Sequence, residues 1–193
     1  ELILREAHNI NVIEYAQNIK NEGKTLMSLI NDLLDFSKIE SGKMELTETE
    51  YGLSSLLHDV VAMFSLKAEE KGLELKVETE EDIPSVLRGD EIRIKQILSN
   101  LLSNAVKYTE RGEIGLFVEW STKDNKTALL TITVKDSGIG IKEEDLDDIF
   151  EQFKRFDAER NSKIEGTGLG MNITAQLLEL MNGEIFVKSK YGV

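Results

Sequence analysis

An acidic, glycine-rich motif at Asp136–Gly140 (Asp-Ser-Gly-Ile-Gly) follows a predicted strand and contains residue types suited to binding a ligand. The carboxylate of Asp136 can accept a hydrogen bond from the exocyclic amine of adenine, and it would repel the carbonyl that guanine carries there. Gly138 and Gly140 lack a Cβ, so the backbone can adopt positive φ and let a flat ring approach closely. The same pattern also ends strands as an ordinary turn. It indicates an adenine-binding loop only together with other motifs.

A second group of polar residues precedes this loop at helical spacing. Asn100, Asn104 and Lys107 stand at i, i+4 and i+7 of a strongly periodic segment, residues 90–109, so they share one helix face. Asparagine is unfavourable within helices, and simple solvent exposure is one explanation for the pair. The other is a magnesium site, because amide oxygens suit Mg²⁺ and the ion shares its shell with substrate phosphates. Lys107 could then contact the phosphates, and Tyr108 the phosphates or the sugar.

A third motif, Gly166–Gly170 (Gly-Thr-Gly-Leu-Gly), leads directly into a predicted helix. Free amides at a helix N-terminus favour anions, and glycines let phosphate oxygens come close. Thr167 adds a hydroxyl donor, and Lys154 and Arg155 are the nearest preceding cations that could reach a terminal phosphate. A flexible loop before a helix is the alternative interpretation of the motif taken alone.

The composition excludes several other functions. The 193 residues are 40% apolar and 31% charged with a single proline, as in an ordinary globular protein. The absence of cysteine rules out disulfides and thiolate chemistry. A net charge of −13 argues against binding nucleic acid or an anionic membrane surface. No apolar run approaches the length of about 18 residues that is needed to span a bilayer, so we expect no membrane contact in this chain.

Two regions with different patterns must position these motifs. Val12, Ile19, Leu26 and Leu33 recur every seven residues, which predicts a bundled helix beginning at Asn11. Beyond it the pattern predicts strands at 45–53, 73–77, 113–121, 128–135 and 184–190, and helices at 54–71, 90–109, 142–152 and 169–181. Because these do not alternate as regular βαβ units, we predict an α+β fold, a two-layer sandwich of a mixed sheet with helices on one face.

Taken in order, the motifs closely resemble the ATP-binding domain of sensor histidine kinases. Asn100–Thr109 corresponds to the family's asparagine box, Asp136–Gly140 to its first glycine box, Ile149–Phe153 to its phenylalanine box and Gly166–Gly170 to its second glycine box. The segment Leu33–Glu45 resembles the end of the family's dimerisation helix. The resemblance covers nearly the whole chain. It implies a Bergerat-type ATP-binding domain at residues 46–193, preceded by part of a helical-hairpin dimerisation segment at residues 1–45.

The resemblance also implies the chemistry. Asn104 becomes the Mg²⁺ ligand with Asn100 supporting it, Asp136 reads adenine, and residues 154–166 form a lid over ATP. A homodimer assembled through the hairpin transfers the γ-phosphate to a histidine, for relay to a response-regulator aspartate. A cytoplasmic location is implied, whether or not the parent protein is anchored in the plasma membrane. The nucleotide-binding residues implied are Asn100, Asn104, Lys107, Tyr108, Asp136, Gly138, Gly140, Ile141, Lys154, Arg155, Gly166, Thr167, Gly168, Leu169 and Gly170.

One part of the family pattern is missing. The acceptor histidine of the family is followed by an acid and usually by Arg-x-Pro, whereas the only proline here is Pro84. His8 has no adjacent acid, and His58 lies in an apolar helical segment, so we expect the acceptor before Glu1. The family's final strand is likewise expected after Val193. Two alternatives to a kinase remain open: a degenerate module that binds nucleotide without transferring phosphate, or another ATPase of the same fold.

Overall fold

The computed structural model describes residues 10–122, 124, 127–152, 154 and 168–192. The chain divides into two compact units between Met44 and Glu45. In the first unit, helix α1 spans Ile10–Glu40, and it is followed by a turn in which Gly42 has a φ of +65°. Asn11, predicted to start this helix, lies inside it. None of the described helices is both long and apolar enough to cross a membrane.

The second unit combines a small sheet with helices in its described part. Its elements are β1 (Thr49–Gly52), α2 (Leu53–Glu70), β2 (Glu74–Thr79), β3 (Val86–Gly89), α3 (Glu91–Tyr108), β4 (Glu113–Thr122), β5 (Ala128–Asp136), a 3₁₀ turn (Glu143–Asp145) and α4 (Gly170–Leu180). The long apolar-periodic helices and the β4–β5 hairpin therefore form where their sequence patterns predict them.

The main sheet is mixed, with strand order β2-β4-β5. Strand β2 runs parallel to β4, with Leu75 opposite Ile114, and β5 runs antiparallel to β4, with Asp136 opposite Ile114. Strands β1 and β3 form a separate antiparallel pair. The predicted α+β class with a mixed sheet is confirmed.

Alternation along β4 defines the face of the sheet that is buried. Ile114, Leu116 and Val118 are at most 1% exposed, because successive side chains of a strand point to opposite faces. They join one apolar cluster with residues of α2 and α3, including Leu56 and Leu102, which are fully buried. Full burial of each such leucine is worth about 1.5–3 kcal/mol. This core holds α3 in a fixed place against the sheet.

The structure differs from the sequence-based predictions in three places. The helix predicted at 142–152 is reduced to the 3₁₀ turn at Glu143–Asp145, because the acidic run that continues through Asp148 places like charges at i, i+4 and destabilises a longer helix. The strand predicted at 184–190 keeps an alternating exposure, but no strand is assigned there. Strand β3 was not predicted, since four residues are too few to show a period.

Candidate nucleotide-binding site

Helix α3 carries the predicted asparagine and lysine ligands, and its N-terminus is firmly anchored. The buried carboxylate of Asp90 accepts a hydrogen bond from the backbone amide of Arg93 at 3.0 Å through Oδ1. Its Oδ2 accepts one from the amide of Thr47 at 2.9 Å. Asn104 and Lys107 are half-buried, at the border between the packed and the open faces of the helix. They are therefore presented from a rigid element.

Asn100 connects α3 to the N-terminal turn of α4. Its side-chain Nδ2 donates to the carbonyl of Gly170 and to the hydroxyl of Thr174, both at 3.3 Å. Thr174 is completely buried, so this contact lies inside the packed interface of the two helices. Asn100 thus fixes Gly170, the last residue of the second glycine motif, relative to the asparagine helix.

The first glycine loop folds around the carboxylate of Asp136. Oδ1 of Asp136 accepts the backbone amide of Gly138 at 2.9 Å. An ionised carboxylate has about four acceptor positions, so capacity for a further donor remains. A Cβ on Gly138 would lie 2.7 Å from the carbonyl oxygen of Tyr108, at the end of α3. The loop and the helix end therefore touch at a point where only glycine fits.

The other side of this loop rests on the C-terminal segment of the described chain. Gly140 has a φ of +71°, and a Cβ there would overlap the carbonyl of Lys190. The amide of Ile141 donates to the hydroxyl of Ser189 at 2.9 Å, and the amide of Gly192 donates to the carbonyl of residue 139 at 2.9 Å. The loop is held on both sides by contacts that are distant in sequence.

The described part of the second glycine motif opens α4. Gly168 has a φ of +72°, Leu169 is 1% exposed, and Gly170 begins the helix. The buried side chain of Leu169 anchors the start of α4 in the interior. Arg155, Gly166 and Thr167 lie outside the described residues, as does most of the predicted lid.

The predicted cations already have interactions within the chain. The ammonium of Lys154 donates to Asp148 and, at 3.1 Å, to Glu151. The hydrogen bond with Asp148 is the main cause that raises the pKa of Lys154. Lys107 places its ammonium 5.3 Å from the ring centroid of Tyr108. Contact of Lys154 with a phosphate would require it to exchange its carboxylate partners.

The donor set fits a magnesium ion that arrives with a nucleotide. Within the described ranges, no group of three or more His, Asp or Glu side chains is arranged to hold a metal. Mg²⁺ commonly keeps several waters and takes one or two protein ligands plus substrate phosphates. The half-buried amide of Asn104 suits such a shared shell, because it adds an oxygen without adding negative charge.

Three residues at this site were not singled out from the sequence. Ser137 closes the base of the first glycine loop, since its Oγ accepts the amide of Glu113 at 2.9 Å. Ser189 accepts the amide of Ile141, and Lys71 donates to carbonyls at the end of α3. Ser137 lies inside the Asp-Ser-Gly motif, which could have pointed to it. No local sequence pattern marks Ser189 or Lys71.

The fold and the candidate site are those of an α+β domain, and comparison with known proteins identifies its family. Residues 89–193 match the family described as "Histidine kinase-, DNA gyrase B-, and HSP90-like ATPase". The chain belongs to this family. Hybrid signal transduction histidine kinase B of Dictyostelium discoideum is 41% identical over 180 residues, which are 93% of this chain and 9% of that protein. BarA of Escherichia coli (strain K12), a signal transduction histidine-protein kinase, is 37% identical over 98% of this chain and 20% of its own length.

A solved structure supports the same assignment. Full-length ShkA in complex with AMPPNP superposes with a TM-score of 0.77 at 30% identity, covering 99% of this chain and 38% of that one. The sequence resemblance to sensor histidine kinases is therefore confirmed. The chain spans at most about a fifth of the length of the two curated relatives described above.

Proposed function

We propose that this chain is the catalytic ATP-binding part of a sensor histidine kinase, which binds Mg-ATP and transfers its γ-phosphate to a histidine. The observation that carries the proposal is that α3 contacts both glycine motifs. Its last carbonyl, that of Tyr108, lies against Gly138, and Asn100 donates to Gly170. A base-binding loop and a phosphate-binding helix start are thereby fixed to the helix that carries the candidate metal ligand.

Each part of ATP has a matching group in this arrangement. Asp136 accepts the exocyclic amine of adenine, and the first amides of α4 face the phosphates at a helix N-terminus. Asn104 would hold a Mg²⁺ ion that comes with the phosphates, and the ion would supply neutralisation of the charge that develops during transfer. The bond from the γ-phosphorus to ADP breaks as a bond to an imidazole nitrogen forms. The protein contributes positioning and electrostatic stabilisation.

The phosphate acceptor is proposed to lie outside this chain. His58 is exposed on α2, within the ATP-binding unit, and has no role in the proposed site; His8 lies outside the described residues. We propose that a histidine of the dimerisation hairpin receives the phosphate and passes it to a response-regulator aspartate. This reaction places the domain in the cytoplasm, where ATP is available.

Helix α1 is proposed to pair with a second copy of the chain. Val12, Ile19, Leu26 and Leu33 share a heptad stripe, and their exposed fractions are 41%, 72%, 58% and 53%. Such a stripe is stable in water when a partner helix covers it. The variant Leu26→Asp should be monomeric in light scattering, whereas wild type and the exposed-site control Lys24→Asp should be dimeric. A monomeric wild type would contradict this part of the proposal.

Phosphate transfer itself can be tested with γ-labelled ATP. The chain alone should retain no acid-labile label, since the proposal assigns neither of its histidines as acceptor. Added hairpin polypeptide from a related kinase should acquire label on its histidine in the presence of Mg²⁺. ATP binding without any transfer to the hairpin would favour a degenerate nucleotide-binding module. Label on His8 or His58 would show that the acceptor assignment is wrong.

A further inference from the structure

We propose that Lys71 is a positioning residue of the nucleotide site, holding the last turn of α3 in the geometry that presents Asn104 and Lys107 to the phosphates. Lys71 follows α2 directly and precedes Gly72, whose φ is +70°. The proposal rests on the nucleotide-binding function proposed above. It assigns a role to a side chain that lies outside all four sequence motifs.

The contacts of Lys71 join the ends of two helices. Its Nζ donates to the carbonyl of Val106 at 2.7 Å and to that of Lys107 at 3.2 Å. A longer contact of 3.5 Å reaches the carbonyl of Thr109. Lys71 is 35 residues distant from Val106 in sequence, so one side chain spans from the end of α2 to the end of α3.

These contacts give hydrogen-bond partners to two of the carbonyls at the end of α3. The last four carbonyls of an α-helix have no partner within the helix. That of Ala105 accepts the amide of Thr109 at 3.1 Å, and those of Val106 and Lys107 accept from Lys71. The fourth, that of Tyr108, is the one that abuts Gly138. The last turn of α3 is therefore contacted by the ammonium of Lys71 and by the first glycine loop.

The charge of Lys71 reinforces this geometry. The C-terminus of a helix carries a partial negative charge, which a cation stabilises. Loss of the ammonium leaves two carbonyls to be satisfied by water, which favours fraying of the turn that bears Lys107 and follows Asn104. Because Lys71 is exposed and solvent screens it, its removal should affect local geometry more than global stability.

Lys95 provides a matched control on the same helix. This lysine also links α3 to α2, since its ammonium lies 2.9 Å from Asp59 of α2. It lies at the same distance from Glu91 of its own helix. The link lies near the N-terminal end of α3, away from the turn that Lys71 caps. Removing either lysine removes a lysine-mediated link between α2 and α3, but only Lys71 contacts the turn proposed to face the phosphates.

The test compares wild type with Lys71→Met, Lys71→Arg and Lys95→Met, at a temperature well below the lowest melting temperature. Mg-ATP affinity is measured by calorimetry, and the side-chain amide resonances of Asn104 are recorded by NMR without nucleotide. Lys71→Met should bind Mg-ATP about three- to tenfold more weakly and shift the Asn104 amide, as expected for loss of hydrogen bonds to a charged donor. Lys71→Arg should restore most of the affinity, and Lys95→Met should match wild type in both measurements.

Two results would overturn the proposal: wild-type affinity with an unshifted Asn104 amide in Lys71→Met, or equal losses in Lys71→Met and Lys95→Met. Failure of the proposed function looks different, because wild type itself would then bind no ATP. In that case the Asn104 resonance in the nucleotide-free chain still decides whether Lys71 sets the geometry of the turn.

Discussion

The carbonyl oxygen of Lys190 lies where a Cβ on Gly140 would have to stand. Gly140 also has a φ of +71°, a conformation that costs other residues about 1–2 kcal/mol. We therefore expect Gly140→Ala to destabilise the chain by more than this backbone cost, because the Ile139–Lys142 loop and the 189–192 segment must separate. Chemical denaturation monitored by the fluorescence of the single tryptophan, Trp120, measures the difference.

Gly72→Ala is the matched control for this substitution. Gly72 has nearly the same φ, +70°, but a Cβ there meets no atom within 4 Å. The excess destabilisation of Gly140→Ala over Gly72→Ala isolates the contact with Lys190. Equal destabilisation of the two variants would show that the contact does not constrain the loop.

Replacing Asp136 tests its proposed hydrogen bond with the adenine base. Asp136→Asn replaces one of the two acceptor oxygens by an NH₂ donor and removes the negative charge, and we expect about a tenfold to hundredfold loss of ATP affinity. Calorimetry at saturating Mg²⁺ measures the loss. Asp82→Asn, at another exposed aspartate, removes the same charge and should leave affinity unchanged. Wild-type affinity in Asp136→Asn would remove Asp136 from the site.

A substitution at Asn104 tests the proposed metal ligand. Asn104→Asp adds a negative charge beside the triphosphate, so Mg-ATP binding should weaken about tenfold or more. Ser103→Asp adds the same charge to the same helix at the exposed neighbouring position and should have little effect. Titrations at several Mg²⁺ concentrations separate metal from nucleotide binding. Equal responses in the two variants would argue that only net charge matters.

The ion pair between Lys76 and Glu113 gives a prediction for acid pH. Nζ of Lys76 lies 2.5 Å from Oε2 of Glu113, and this hydrogen bond, with the lysine charge, lowers the pKa of Glu113 from its ordinary 4.5. A depressed native pKa adds stability that is present above the unfolded pKa and is lost as pH falls through the native pKa. The melting temperatures of wild type and Glu113→Gln should therefore differ slightly at neutral pH and converge below about pH 4. The gap should be small, because both side chains are exposed.

Other carboxylates titrate in the same pH range. The quantity that isolates Glu113 is therefore the difference in melting temperature between wild type and Glu113→Gln at each pH. A gap that persists unchanged to low pH would show that Glu113 contributes through packing rather than charge. A gap of opposite sign at neutral pH would show that the pair does not stabilise the parallel β2–β4 contact.

The sequence predicts those parts of the fold in which apolar spacing repeats. Ile114, Leu116 and Val118 alternate with period two, which predicts a strand, whereas the apolar residues of α3 recur with helical period. Both patterns are reliable because burial of one face of each element dominates its stability. The acidic segment 142–152 was wrongly predicted as a helix, because like charges at i, i+4 outweigh its weak periodicity. Strand β3 was missed because its pairing with β1 depends on a partner 34 or more residues earlier.

The sequence motifs indicate candidate site residues but not their contacts. Asp136 and Gly138 lie two residues apart in the motif, and their hydrogen bond forms an ordinary local turn. The contacts of Lys71 with α3 and of Ser189 with Ile141 join segments that are distant in sequence. No local pattern contains such contacts, since they depend on how elements pack. Lys154 lies six residues from its partner Asp148, so that contact is local, and the contact of Lys154 with a phosphate stays a prediction.

Adenine-specific, magnesium-dependent binding is tested most directly by a calorimetric titration of the wild-type chain with ATP and with GTP, each in Mg²⁺ and in EDTA. We expect ATP to bind in the micromolar-to-millimolar range, more tightly with Mg²⁺, and GTP to bind far more weakly because the carboxylate of Asp136 opposes its carbonyl. Absence of ATP binding at millimolar concentration, or equal binding of ATP and GTP with or without the metal, would show that the proposed site is wrong.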